Sequence, residues 1–319
     1  MRTVITKDTR VVAETLASGE VACVPTETVY GLGANALNEK AVVKIYETKD
    51  RPRFNPIIVH ISRKEEFEKY GKNIPDKVYR LAEKFSPGPI TFVVSKNDVI
   101  PDIVTAGNDS VGLRIPKHPL FMELLTQCGF PIAAPSANMF GRISPTTAEE
   151  TLKELDGKIG YILDGGKCEV GIESTVISFV DETPCILRHG AITMEDIEDE
   201  IGKVVTGNGE KIISPGMTLS HYSPHKPLFV SENILEEDDL KEMNAVFMDL
   251  ERFGSPDNIA VNLFSEMRKL DESDFGIIVC KKVEDIGIGI AINDKLERAS
   301  SGRISFEFGM PVITQLKYV

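Results

Sequence analysis

Short aliphatic runs alternate with helix-length amphipathic segments through the first two-thirds of the chain. Residues 21–24, 57–61, 90–94, 111–115, 131–134, 161–163, 175–179 and 185–188 read as strands. Residues 8–18, 76–85, 119–128 and 147–155 read as helices, and Asn38 caps another whose apolar face is Val42, Val43, Ile45 and Tyr46. Strands of this length separated by helices of this length specify an α/β sheet. The sequence shows no internal repeat, heptad or low-complexity tract.

A change of character near residue 207 divides the chain. Thr206-Gly207-Asn208-Gly209 is a turn cluster, and residues 214–227 carry three prolines with little periodicity. His221 and His225 have the spacing of a helical metal pair, but Pro224 between them opposes a helix. From Leu228 a second α/β pattern begins, with apolar runs at 244–248 and 275–280 and a helix near 262–270. The expected organisation is a domain over 1–206, a linker or lid over 207–227, and a small α/β domain over 228–319. The glycines of Ile286-Gly287-Ile288-Gly289-Ile290 do not follow G-x-G-x-x-G, so no dinucleotide site is read there.

The net charge is −13, from 36 Lys and Arg against 49 Asp and Glu. That balance opposes a nucleic-acid binder with a basic face. It also makes any local gathering of cations a pointer to a bound anion. The acidic stretches at 195–200 and 232–239 read as solvated helix faces. Five scattered cysteines without a C-x-x-C pair suggest a reducing compartment. No apolar run reaches the ~20 residues that span a bilayer, and residues 1–7 lack a leader-like stretch. The expectation is a cytoplasmic protein without a membrane partner.

The most polar of the tight turns is Pro25-Thr26-Glu27-Thr28-Val29-Tyr30-Gly31-Leu32-Gly33, which follows the first apolar strand. It reads as a strand-to-helix turn of the kind that binds ligands in open α/β sheets, with its glycines admitting close backbone approach. Several groups from elsewhere can converge on it. Lys49, Arg51 and Arg53 share a loop closed by Pro52 and Pro56. His60, Arg114 and Arg188 each face away from the aliphatic side of their strands. Arginines so embedded suit carboxylate or phosphate clamps, and equally suit internal salt bridges. Ser136, Asn138 and Ser144 lie in a loop after a strand, where they serve as caps or as ligand contacts. The chain contains no G-x-x-x-x-G-K-[ST], H-E-x-x-H or G-x-S-x-G motif. The surviving reading is a polar pocket for an anionic, polyoxygenated ligand, acting by positioning and charge neutralisation.

Five ordered motifs carry a resemblance. They are Thr26-Glu27-Thr28-Val29-Tyr30-Gly31-Leu32, Lys49-Asp50-Arg51-Pro52 with Asn55-Pro56, Pro87-Gly88-Pro89, Pro135-Ser136-Ala137-Asn138 with Ser144-Pro145-Thr146, and Glu173-Ser174-Thr175-Val176. Together they resemble the YrdC-like threonylcarbamoyl-AMP synthases over nearly the whole chain. Ser214-Pro215-Gly216-Met217 with His221-Tyr222, and residues 287–291, resemble the long two-domain branch. The resemblance implies a twisted mixed sheet with a concave pocket and a smaller Rossmann-like domain. It implies synthesis of threonylcarbamoyl-adenylate from L-threonine, bicarbonate and ATP, with Mg²⁺ accompanying the triphosphate. A partner transferase would then modify tRNA; whether tRNA touches this chain stays open. By the same resemblance Thr28, His60, Arg114, Ala134 and Ser174 would contact threonine. Arg51, Asn55, Ser110, Ser136, Ser144, Arg188 and Tyr222 would contact ATP, with Lys49 and Asn138 beside them. Tyr222 would act within a lid. Phe140 stands where the family commonly has a small polar residue. The rival readings are an RNA-binding or ribosome-associated module, and a carbamoyl transferase using the same pocket. No side chain is assigned as general base.

Overall fold

The computed structural model describes residues 2–207, 221–231, 237–307 and 310–314. The chain divides into two compact units, Met1–Phe140 with Ser144–Thr218, and Gly141–Ile143 with Leu219–Val319. The expected lid motif Ser214-Pro215-Gly216-Met217 lies outside the described residues.

The first unit is built on strands β1 (Val4–Thr6), β2 (Ala22–Val24), β3 (Gly31–Asn35), β4 (Val59–His60), β5 (Gly71–Lys72), β6 (Ile90–Lys96), β7 (Ser110–Arg114), β8 (Ile132–Ala133), β9 (Tyr161–Leu163), β10 (Thr175–Ser178), β11 (Cys185–Arg188) and β12 (Val205–Thr206). They join in one mixed sheet of order β1-β9-β2-β3-β8-β4-β7-β6-β10-β11-β12, with β5 on the side of β6. The helices are α1 (Thr9–Ala17), α2 (Glu39–Lys49), α3 (Phe67–Tyr70), α4 (Asp76–Phe85), α5 (Asp102–Thr105), α6 (Pro119–Cys128), α7 (Ala148–Leu155) and α8 (Met194–Ile201).

Strand alternation covers both faces of the sheet. Ala22 and Val24 pack with Val12, Leu16, Phe121 and Leu124, whereas Cys23 packs with Leu32, Ile45 and Ala133 in the other apolar group. Each Val, Leu, Ile or Phe among them, fully buried, stabilises the fold by ~1.5–3 kcal/mol. The acidic stretch at 195–200 is only half solvated, because Ile197 and Ile201 turn α8 inward. Asn38 caps α2 as its sequence predicts, its side chain accepting from Lys40 N and Ala41 N. Asp50 ends that helix in the left-handed region at φ 50°, which releases the chain into the cation loop.

One expectation is corrected here. The stretch at 25–33 is a strand–turn–strand, not a strand-to-helix turn. Residues 31–35 run back antiparallel to β2, pairing Val24 with Gly31 and Ala22 with Gly33. The glycines are there for close packing rather than for unusual backbone angles. A Cβ on Gly31 would lie 3.1 Å from the Ala134 Cβ and 3.3 Å from the Pro135 carbonyl. Their hydropathy is too low to signal a strand, which explains the misreading.

The second unit has strands β13 (Leu228–Ser231), β14 (Ala245–Met248), β15 (Ile277–Lys281), β16 (Gly302–Glu307) and β17 (Met310–Thr314), in the order β14-β15-β13-β16-β17. All pairs are parallel except β16 with β17. Helices α9 (Glu237–Glu242), α10 (Pro256–Asp271) and α11 (Ile288–Ala299) complete it. The expected α/β class with a second, smaller α/β sheet is what the structure contains. Gly141–Ile143 is held within this unit, where Ser223 N donates to the Gly141 carbonyl at 2.8 Å and Arg268 Nη2 to the Ile143 carbonyl at 2.7 Å. Among the described residues no helix is long and apolar enough to cross a membrane.

Candidate functional site

A buried ion pair forms the centre of the turn between β2 and β3. Arg114, at the end of β7, places Nη2 2.9 Å from Glu27 Oε2, with side chains 5% and 2% exposed. The same Nη2 donates to Thr28 Oγ at 3.0 Å. Thr26 Oγ donates to the Val29 carbonyl, so its 2.8 Å bond with Thr28 must be donated by Thr28. The Thr28 hydroxyl thus keeps one acceptor lone pair for a further donor. Glu27 Oε2 also accepts the Lys117 backbone N–H at 3.1 Å.

His60 and Arg114 are register partners on neighbouring parallel strands, and the His60 ring lies 5.2 Å from that of Phe121. Burial, helped by Arg114, pushes the imidazole down to about 3. His60 is therefore neutral at physiological pH and acts as a hydrogen-bonding group, not as a countercharge. Ala134 follows β8 and donates its N–H to the Ile58 carbonyl.

A second group of side chains is cationic. Lys49 ends α2 and donates Nζ to the carbonyls of Ser136, at 2.6 Å, and Asn138. It thereby ties α2 to the loop after β8. Arg51 turns back onto its own loop, donating to the carbonyls of Asn55 at 3.2 Å and Pro56 at 2.8 Å. Arg188, on β11, donates Nε to the Ser174 carbonyl and Nη2 to Ser174 Oγ, both at 3.0 Å. Ser174 Oγ in turn shares a 2.8 Å bond with Thr91. Burial followed by repulsion from Arg51 brings Lys49 down to about 7. Burial likewise lowers Arg51 to about 10, with Arg188 adding to the shift. Arg51 thus lies near enough to Lys49 to lower it and near enough to Arg188 to be lowered by it, an arrangement that suits a multiply charged anion.

The interior here holds polar atoms without partners. Both polar atoms of the Asn55 amide, Glu27 Oε1, Arg114 Nε, His60 Nδ1 and Glu173 Oε2 are buried and make no hydrogen bond. Protein interiors satisfy nearly all such atoms, so this concentration is what a bound ligand would complete. Ser144 Oγ donates to Glu173 Oε1 at 2.6 Å. Ser110 opens β7, roughly 13 Å along the strand from Arg114, and the structure does not join it to the other candidates by a hydrogen bond. Tyr222 belongs to the second unit, where its ring packs 5.2 Å from that of Phe264 and Lys295 Nζ lies 5.9 Å from its centre.

Sequence reasoning left Glu27 and Tyr30 unassigned and gave Glu173 no role. The Tyr30 hydroxyl donates to the Gly166 carbonyl and accepts from Gly165 N, which fixes that loop beside β3. For the carboxylates a signal was present: each stands within a run of hydroxyl residues where a solvated surface charge is out of place.

The family model described as telomere recombination, for Sua5, YciO and YrdC proteins, matches residues 14–190. A second, described as threonylcarbamoyl-AMP synthase, C-terminal domain, matches residues 192–301. The threonylcarbamoyl-AMP synthase of Bacillus subtilis is 40% identical over 320 residues, covering 92% of this chain and 92% of its own length. That of Pyrococcus abyssi is 38% identical over 321 residues, covering 92% and 94%. The crystal structure of P. abyssi Sua5 complexed with L-threonine superimposes with a TM-score of 0.87 at 35% identity, covering 94% of this chain and 97% of that one. Two consecutive domain matches and alignment across almost the full length place the chain in the Sua5/YciO/YrdC family, in the branch that carries the C-terminal domain of threonylcarbamoyl-AMP synthases.

Proposed function

We infer that this chain is an L-threonylcarbamoyladenylate synthase, which joins L-threonine, bicarbonate and ATP and releases pyrophosphate. The observation that carries the reading is the pairing of buried cations, Lys49, Arg51 and Arg188, with a concentration of unpartnered buried polar atoms. The first suits a triphosphate and the second a small, densely polar co-substrate. The names of the full-length relatives, and L-threonine in the P. abyssi complex, support this reading over an RNA-binding module.

In the reaction the threonine amine bonds to the bicarbonate carbon with loss of water, giving a carbamate. A carbamate oxygen then bonds to the α-phosphorus as the bond to pyrophosphate breaks. The residues of this chain supply binding and charge. Arg114, held by Glu27, takes the threonine carboxylate, and its free Nε offers a second donor for a bidentate contact. The Thr28 lone pair and neutral His60 suit the remaining polar groups of threonine, with Ser174 and the Ala134 backbone beside them. Lys49, Arg51 and Arg188, whose described hydrogen bonds run to protein oxygens, would offer the phosphates their positive charge, and Asn55, Ser136, Asn138 and Ser144 would give polar contacts to the nucleotide. Because Arg188 is bonded to Ser174, the two half-sites abut, as transfer from carbamate to α-phosphorus requires. Ser110 and Tyr222 are carried as nucleotide contacts by the resemblance alone. Magnesium accompanying ATP would supply charge neutralisation at the departing pyrophosphate, with Glu173 as the side chain that would hold it. A nucleotide-borne Mg²⁺ needs only one or two protein carboxylates, and the orphaned Glu173 oxygen fits that need. We place the reaction in the cytoplasm, ahead of a transferase that passes the threonylcarbamoyl group to tRNA.

Incubation with MgATP, bicarbonate and L-threonine is expected to release pyrophosphate and to yield an adenylate of the threonylcarbamoyl mass. Release that needs neither threonine nor bicarbonate refutes the reading. Arg51→Ala is expected to lower kcat/KM for ATP by about a hundredfold, since it removes a fixed cation and the support of residues 55–56. Unchanged kinetics would remove Arg51 from the phosphate site.

A further inference from the structure

Two carboxylates are buried in the candidate site, in different electrostatic company. Glu27 is neutralised by Arg114 at 2.9 Å. Glu173 is 5% exposed, and no described cation pairs with it. Its Oε1 accepts the Ser144 hydroxyl at 2.6 Å, and its Oε2 has no partner. Its backbone is closely approached by that of Gly190, where an added Cβ would lie 2.6 Å from the Glu173 carbonyl oxygen. A buried carboxylate is costly unless a countercharge meets it. Lys49 and Arg51 are instead committed to backbone carbonyls, and Arg188 donates to Ser174. The missing positive charge therefore arrives with a substrate.

Two substrate cations are available, the ammonium of the amino acid and the divalent ion of the nucleotide. The carboxylate is tied to Ser144, on the nucleotide side of the site, and not to the Arg114–Thr28 group. Ser144 gives its proton to Oε1, so its own oxygen keeps lone pairs beside the carboxylate. Hard oxygen donors of this kind suit magnesium, which takes one or two carboxylates and completes its shell with phosphate and water. We propose that Glu173 is the carboxylate ligand through which the protein holds the divalent cation entering with the nucleotide. The proposal rests on the nucleotide reading above.

The test is calorimetric titration of the full chain with ATP, once in excess Mg²⁺ and once in EDTA, for wild type, Glu173→Gln and Glu173→Asp. In wild type Mg²⁺ is expected to tighten ATP binding by about tenfold or more. Glu173→Gln should lose most of that gain while keeping the affinity measured in EDTA, and Glu173→Asp should retain part of it. Free Mn²⁺, followed by electron paramagnetic resonance, should bind the ATP complex of the Gln variant correspondingly more weakly. Full Mg²⁺ enhancement in Glu173→Gln overturns the assignment. Equal weakening in Mg²⁺ and in EDTA also overturns it, marking Glu173 as an acceptor for a ribose or base donor. Wild type that binds no ATP in either condition brings down the functional reading instead.

Discussion

Arg114→Ala is expected to lower kcat/KM for threonine by about a thousandfold or more and to destabilise the first unit at the same time. The two losses have separate causes. The first is removal of the guanidinium that donates to Thr28, beside a His60 whose imidazole is held down to about 3. The second is the orphaning of Glu27, whose side chain is 2% exposed and whose described countercharge is Arg114 at 2.9 Å. Removing one member of such a pair costs about 3–5 kcal/mol, which for a unit of this size lowers Tm by roughly 10 °C. A paired replacement, Glu27→Leu with Arg114→Met, separates the causes. It removes both buried charges and should recover much of the stability, less about 1–3 kcal/mol for the Lys117 N–H left without its acceptor. It should recover none of the activity. Thermal melts and threonine-dependent pyrophosphate release measure the two arms. A stable, inactive single mutant would show that Glu27 is neutralised by something other than Arg114.

That pair also shows how far the sequence could be read. Arg114 was legible because period-2 alternation placed it opposite Val111, Leu113 and Ile115, and the α/β architecture followed from the same periodicity. Pattern cannot show what an arginine meets across 87 residues of chain, and the two readings offered, a ligand clamp and an internal salt bridge, were not alternatives. The structure makes Arg114 an internal ion pair and leaves its Nε without a partner. The turn at 25–33 failed for another reason. Gly31, Gly33 and Ala34 have too little side chain to announce a strand, yet their smallness lets that strand pack so closely that a Cβ added to Gly31 would lie 3.1 Å from the Ala134 Cβ. Capping chemistry, being local, was read correctly at Asn38, which caps the helix that follows it. Tertiary bonds such as Lys49 to the loop at 136–138 leave no local trace, and the sequence singled out Lys49 and Asn138, from their loops and the family resemblance, without the bond between them.

Lys49→Met should be among the most damaging single changes in the nucleotide half-site, and its signature is a pH dependence. Burial, then repulsion by Arg51, brings the Lys49 ammonium from its usual 10.5 to about 7. Between about pH 7 and 10.5 the unfolded chain holds a proton that the folded chain has released, so this group makes stability rise with pH across that window. Lys49→Met should flatten that part of the stability curve. In the folded protein a polyphosphate bound nearby favours the charged form. ATP binding about one unit above pH 7 is therefore coupled to uptake of a proton. Calorimetry in buffers of different ionisation enthalpy reads this directly: the apparent binding enthalpy of wild type should vary with buffer, and that of Lys49→Met should not. The variant also frees the Ser136 and Asn138 carbonyls from their shared donor, loosening the loop that carries Ser136. The combined loss in kcat/KM for ATP should be about a thousandfold. Lys49→Arg should not restore it, because a planar guanidinium cannot enter a fully buried pocket shaped for an ammonium. Wild-type binding without proton uptake would mean that Lys49 is already fully charged in the free protein, held so by the two carbonyl oxygens. The Lys49 ammonium would then serve as a permanent clamp on the loop at 136–138, with no change of protonation when ATP binds.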